Sequence, residues 1–164
     1  MALDLNALKE TLQTILGDAN TVTATYDLST SLATRVQRVV KLNPALINVQ
    51  SNWYPFVSCY VESKDVELKD MVGTQLASKR QGDINLRIMG AVEVNLHADP
   101  ETDEADDECE QLMENIEEVL RRNPTLNSAV LWQYPVRVKY YNQEVEEGAC
   151  VRVGLLDLTA TLLY

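Results

Sequence analysis

The sequence holds a single histidine, His97, and three cysteines, Cys59, Cys109 and Cys150. One imidazole leaves no spare base for a Ser-His-Asp or Cys-His arrangement, and at the end of an alternating stretch His97 reads as structural. The cysteines are odd in number, widely spaced and without a CxxC pair. That pattern fits reduced thiols used as small apolar side chains, not a disulfide framework. Neither a P-loop nor a GxGxxG stretch is present, so the usual phosphate cradles are missing. No apolar run approaches the roughly 20 residues that span a bilayer. The N-terminal residues lack the positive and apolar regions of a signal peptide. Cations are also few: 14 Lys and Arg stand against 25 Asp and Glu, a formal net charge of −11. Duplex affinity comes mainly from neutralising phosphates, so this balance argues against a dedicated nucleic-acid binder.

What remains is an ordinary globular composition, 46% hydrophobic and 24% charged over 164 residues, which suits one domain with its own core. Leu5, Leu8, Leu12, Ile15 and Leu16 recur at helical spacing, so residues 4–16 are predicted to form a helix capped by Asp4 and closed by Gly17. Residues 28–42 fit either a helix, through Leu28, Leu32, Val36, Val39 and Val40, or a weak two-residue alternation; the helix is preferred. From Tyr54 to Val61 the chain is aromatic and β-branched, a strand with Pro55 at its start, which Val66 and Leu68 extend or partner. Residues 70–82, with Gly73 and Gly82 around a polar run, read as a mobile loop or hairpin arm. Residues 83–96 alternate as a long half-buried strand, with Gly90 as a point of bending.

Residues 99–122 form the clearest element, a helix with Ala105, Cys109, Leu112, Met113, Ile116, Val119 and Leu120 on one face. Its acidic start and its Arg121-Arg122 end match the helix dipole, and Asn123-Pro124 stops it. Two strands follow, around Val136–Tyr140 and from Val151 onward. In the second the apolar phase changes after Leu155, which predicts a β-bulge. The expected fold is therefore α+β: a mixed, mainly antiparallel sheet with two or three helices packed on it and a protruding arm, all in one domain.

Eleven carboxylates lie between Asp99 and Glu118 with no intervening Lys or Arg, so the net charge is concentrated on one helix. Two readings stand: a solvated face that aids solubility, or a surface that repels phosphate or docks a basic partner. Asp103, Asp106, Asp107, Glu110, Glu114 and Glu117 are its candidate residues. The oxygen-rich stretch from His97 to Glu104 lacks the glycine turn and ligand spacing of an EF-hand loop, so no metal site is expected. Trp53, Trp132 and Tyr134 read as core or interface aromatics before a ligand platform. Gly73, Gln75, Lys79, Arg80 and Gly82 are candidates for contact with a neighbouring subunit or partner.

The last third carries a recognisable order. A helix ends in Val119-Leu120-Arg121-Arg122-Asn123-Pro124-Thr125-Leu126, then come VLWQYPVRVKYY and ACVRVGLLDLTATLLY; upstream, Tyr54-Pro55-Phe56-Val57 opens an early strand. The chain thereby resembles the small tail-terminator or tail-completion proteins of tailed bacteriophages. The resemblance implies a structural virion protein of the neck, assembled in the host cytoplasm, that forms a hexameric ring. Such a ring caps the tail tube, ends its polymerisation and joins the tail to the head connector. Its partners would be further copies of itself, the tail tube protein and head–tail connector proteins; genomic DNA would pass through without specific binding. No membrane, cofactor, metal or catalytic residue is implied, so no enzymatic activity is expected. The acidic helix and the length around residues 28–42 depart from the family pattern. Another connector protein, an adaptor or stopper, is the second reading, and a cellular acidic α/β protein-binding module the third.

Overall fold

The computed structural model describes residues 4–19, 36–46, 49–67, 81–94, 105–144 and 150–163. Two α-helices and five strands follow in the order α1 (Leu5–Ala19), β1 (Arg38–Val40), β2 (Phe56–Glu67), β3 (Gln81–Val94), α2 (Ala105–Arg122), β4 (Trp132–Glu144) and β5 (Cys150–Leu163). Short 3-10 turns lie at Pro44–Leu46 and Ser51–Trp53. The strands form one sheet in the order β1-β2-β3-β5-β4. β1 pairs parallel to β2 and every other pairing is antiparallel. The architecture is the α+β class that the periodicities predict. Residues 70–80 of the predicted arm lie outside the described residues, and its last two positions, Gln81 and Gly82, belong to β3. Gly82 is therefore a buried strand residue opposite Val66 and Leu162, not part of a loop.

Both helices cover the same face. Leu8, Leu12, Ile15, Leu16 and Ala19 of α1 and seven apolar residues of α2, from Ala105 to Leu120, are buried. They close over Val57, Cys59, Ile84, Leu86, Ile88, Leu156, Leu158, Ala160 and Leu162 from the three inner strands. α1 lies over β1 and β2, and α2 over β3, β5 and β4. Asp4 caps α1, accepting from the backbone N–H of Asn6 at 2.9 Å and Ala7 at 3.0 Å. Gly17, predicted to end that helix, lies inside it; the helix runs on because Ala19 still has core to bury.

Two glycines mark where α2 meets the sheet. A Cβ on Gly90 would stand 2.8 Å from Met113 Sδ and 3.0 Å from Leu112 Cδ2, and one on Gly154 would overlap the Met113 side chain. Gly90 thus serves close approach, not bending: register runs unbroken through it, opposite Val57 and Gly154. The bulge predicted in β5 is also corrected. β5 pairs residue for residue with β3 from Cys150 to Leu163. The irregularities fall between Val61 and Ser63 in β2 and between Pro135 and Arg137 in β4. The apolar phase of β5 changes because the strand serves two half-cores. Val151 and Val153 are buried on the face away from the helices, and Leu156 to Leu162 beneath them.

The helix preferred for residues 28–42 is corrected in its described part. Arg38–Val40 is strand, held by Gln37 N–H donating to Pro55 O at 2.7 Å and by Gln13 Nε2 donating to Val39 O at 2.8 Å. Two β-branched residues beside an open edge of β2 gain more from pairing than from a helical turn. Residues 28–35 lie outside the described residues.

Candidate functional site: the open face and free edge of the sheet

The face away from the helices divides in two. At one end Phe56, Met89, Ala91, Val151 and Val153 are buried, with Val40, Val49, Trp53, Tyr54 and Leu155 packed against them. Arg38 lies 4.5 Å over the Trp53 ring, and Tyr54 meets Phe56 edge-on at 5.3 Å. The other end is polar and uncovered in the described residues. Alternation sends Asp83, Asn85 and Arg87 of β3 and Asp157, Thr159 and Thr161 of β5 to this side, and register sets them opposite one another.

The polar side chains join across the strands. Thr161 donates to Asp83 at 2.6 Å, Thr159 to Asn85 at 3.1 Å, and Asn85 to Ser63 at 2.9 Å. Arg87 donates to Asp157 at 2.9 Å and pairs with Glu62 at 3.1 Å, while Arg137 donates to Asp157 at 3.2 Å. Partial burial pushes the Asp157 carboxyl up, but the two guanidinium groups outweigh it and hold it below the usual aspartate range. Burial likewise lowers Arg87, and its carboxylate partners return it above the ordinary arginine value. A shallow, open cavity of about 240 Å³ lies over this network, with Val136 of β4 on its rim.

β4 is an outer strand of the sheet, and its first half exposes large apolar groups. Trp132 is 54% exposed, Tyr134 51% and Val136 58%, and Leu131, just before the strand, 43%. Trp132 and Tyr134 pair with Thr161 and Thr159, which puts them on the open face. Between them Gln133 turns inward and donates to Leu120 O at 2.6 Å and Asn123 O at 3.2 Å, fastening the strand to the end of α2. The connection before it contains three successive left-handed residues, Leu126, Asn127 and Ser128, at φ 45, 55 and 68°. Such backbone costs about 1–2 kcal/mol per residue outside glycine. Leu126 is fully buried and its N–H donates to Asn123 O at 3.0 Å, which offsets part of that cost. Pro135 is tolerated because an edge strand owes no outward ladder bond.

Three carboxylates of α2, Glu110, Glu114 and Glu117, lie on the side of β4. Asp106, Asp107, Glu110 and Glu114 are exposed and Glu117 is half-buried. Tyr140 of β4 lies beside Glu110, Glu114 and Glu117; burial above all, then those charges, raise its phenol. The row is less uniform than its sequence. Asp106 pairs with Arg152 at 2.6 Å, Glu117 with Arg121 at 3.2 Å, and Glu118 with Arg121 at 2.6 Å and with Arg122. Among the described residues Asp107, Glu110 and Glu114 have no ion pair.

Of the other predicted residues, Gly73, Gln75, Lys79, Arg80, His97 and Asp103 lie outside the described residues. Cys59 and Cys109 are buried and Cys150 half-buried, all free thiols as expected. Burial pushes Cys59 up to about 12 and Cys109 to about 11, which keeps both protonated at neutral pH. The residues not foreseen are Arg87, Arg137 and Asp157, which meet only through strand register, and the exposed Leu131 and Val136. Alternation marks Asn85, Arg87, Asp157 and Thr159 as one-sided, but sequence spacing does not show that β3 and β5 are neighbours. Among the described residues no helix is long and apolar enough to cross a membrane, and no His, Cys, Asp and Glu group has metal-binding geometry.

No family model matches the sequence, and no curated protein matches it.

Proposed function

We propose that this chain is a self-assembling structural subunit of the tail-terminator kind. It would form a ring, of six copies by the resemblance, that caps a tail tube, ends its growth and meets the head connector. One observation carries the self-association: Trp132, Tyr134 and Val136 stand 51 to 58% exposed along one outer strand. Large apolar groups gathered in one patch mark interaction surfaces, whereas scattered ones need no explanation. Trp and Tyr are also the residues that most often anchor interfaces. The tail-terminator assignment itself rests on the order of helix, NPTL turn and closing strands.

The unpaired carboxylates of α2 support a place on the channel or its rim. Like charge there lets a nucleic acid pass without the counterion release that drives binding. The competing orientation, outward toward solvent or a basic partner, is separated by neutralising Asp107, Glu110 and Glu114 together to Asn and Gln. A channel-facing row predicts that the assembled variant retains DNA at low salt where the wild-type ring does not. Equal retention would favour the outward orientation. For the assignment as a whole, negative-stain imaging of tailed particles carrying a labelled copy is the direct test. Label at the junction of head and tail is the expected outcome, and label elsewhere, or on no particle, overturns it.

A further inference from the structure

We infer that the ring closes head to tail, with the β4 edge of one copy seated on the β1–β2 edge of the next. The inference rests on the self-association proposed above and names its two surfaces. A closed ring needs two unlike patches on each subunit, and the described sheet has them on opposite edges. One is the row Trp132, Tyr134 and Val136 on β4. The other follows β1, where Leu42 is 50% and Leu46 81% exposed. The Leu42 carbonyl accepts from Ser58 Oγ, which places this segment over the same open face. With the strand order β1-β2-β3-β5-β4, the two patches lie four strand spacings apart, roughly 19 Å at about 4.8 Å each. A subunit built this way cannot join both patches to itself, but it can join each to a neighbour.

Charge follows the same polarity. On the open face β4 carries Arg137 and the exposed Lys139, while β2 carries Glu62 and the exposed Asp65. Setting β4 against the Glu62–Asp65 stretch of β2 in the next copy brings cations to carboxylates, while the cation of β1, Arg38, is turned over the Trp53 ring. Setting β4 against another β4 brings cations to cations, which is disfavoured. The edge backbone supports the same choice. Pro135 and the adjoining bulge interrupt the row of donors that an added strand would need. Side chains, with Trp132 as the anchor, therefore carry the contact.

The test uses the full-length chain, size-exclusion chromatography and light scattering. Trp132→Asp removes one patch and Leu46→Asp the other; both sites are exposed, and circular dichroism checks each fold. Should Trp132→Asp unfold, Tyr134→Asp takes its place. The expected result is a ring for the wild type, a monomer for each variant alone, and a two-chain complex when they are mixed, since the mixture restores one competent interface. Lys139→Glu should weaken assembly and Asp65→Lys in the same chain should restore it. The assignment is overturned if either variant alone keeps the wild-type assembly, if Leu46→Asp dimerises through β4, or if the mixture stays monomeric. A wild-type ring indifferent to both variants removes only this pair of surfaces. A wild type that is monomeric up to millimolar concentration removes the self-association reading as well.

Discussion

The two faces of the sheet are made by the same strands and held by different physics. The helix-covered face is mainly apolar, with Gln133 and Arg152 tied to α2 at its margins, and its close fit depends on two glycines that admit Met113 and Leu112 of α2. The open face has a buried apolar part only where the chain before β2 folds back over it, and between that part and the β4 edge it is a hydrogen-bonded lattice of Ser, Asn, Thr, Asp and Arg. One face is finished by its own chain. The other ends in exposed aromatic residues on an outer strand, and a surface left in that condition invites a partner.

Four changes break or sharpen this contrast. The largest concerns the covered end of the open face, which must be true core if the division is real. Phe56, 1% exposed, changed to Ala should cost about 3–5 kcal/mol in urea unfolding, whereas Trp132→Ala should leave monomer stability within about 0.5 kcal/mol. Similar costs for the two would erase the distinction between covered and uncovered halves.

Next comes the glycine fit. Gly154→Ala should destabilise by about 1–3 kcal/mol through overpacking against Met113. Part of that loss should be recovered when Met113 is also Ala, since each change accommodates the other. A strictly additive double-mutant cycle would show that the glycine is not there for the helix.

The polar lattice gives a pH signature. Arg87 and Arg137 hold the folded Asp157 carboxyl below its unfolded value of about 3.9. Its contribution is therefore present in full above the unfolded value and is lost as pH falls through the depressed folded one. Asp157→Asn should lower the urea midpoint by a constant amount near neutrality, and the gap to wild type should close in the acid range. A gap that persists unchanged into acid would mean that the network does not depend on an ionised carboxylate.

The smallest effect is a gain. Gly17 lies within α1, and a Cβ there meets nothing within 4 Å. Gly17→Ala should raise stability by about 0.5–1 kcal/mol through helix propensity alone, a shift that thermal unfolding can resolve. A loss instead would point to a backbone conformation at Gly17 that Ala does not tolerate.

These contrasts also explain what could be read from the sequence. α2 was legible because its seven buried residues share one face and its charges follow the dipole. The Asp4 cap and the start of β2 after Pro55 were legible for equally local reasons. β5 departs from the expected bulge because its pattern mixes two cores. Val151 and Val153 answer to one face, Leu156 and its successors to the other, and a single-core rule turns that into a bulge. β1 departs from the expected helix because three residues of strand owe their form to β2, to Pro55 O and to Gln13, all distant in sequence. The Arg87–Asp157–Arg137 network was invisible for the same reason, being created by register. The exposed apolar row is half visible: composition marks Trp132 and Tyr134 as interface or core aromatics, but only strand order shows that β4 is an edge.

Native mass spectrometry of the purified chain decides whether its copies close on one another. The expected spectrum is a closed assembly, six copies by the resemblance, that dissociates to single chains when Trp132 is replaced by Asp. A wild-type chain that flies as a monomer at every concentration, with its aromatic row exposed and unused, would contradict it.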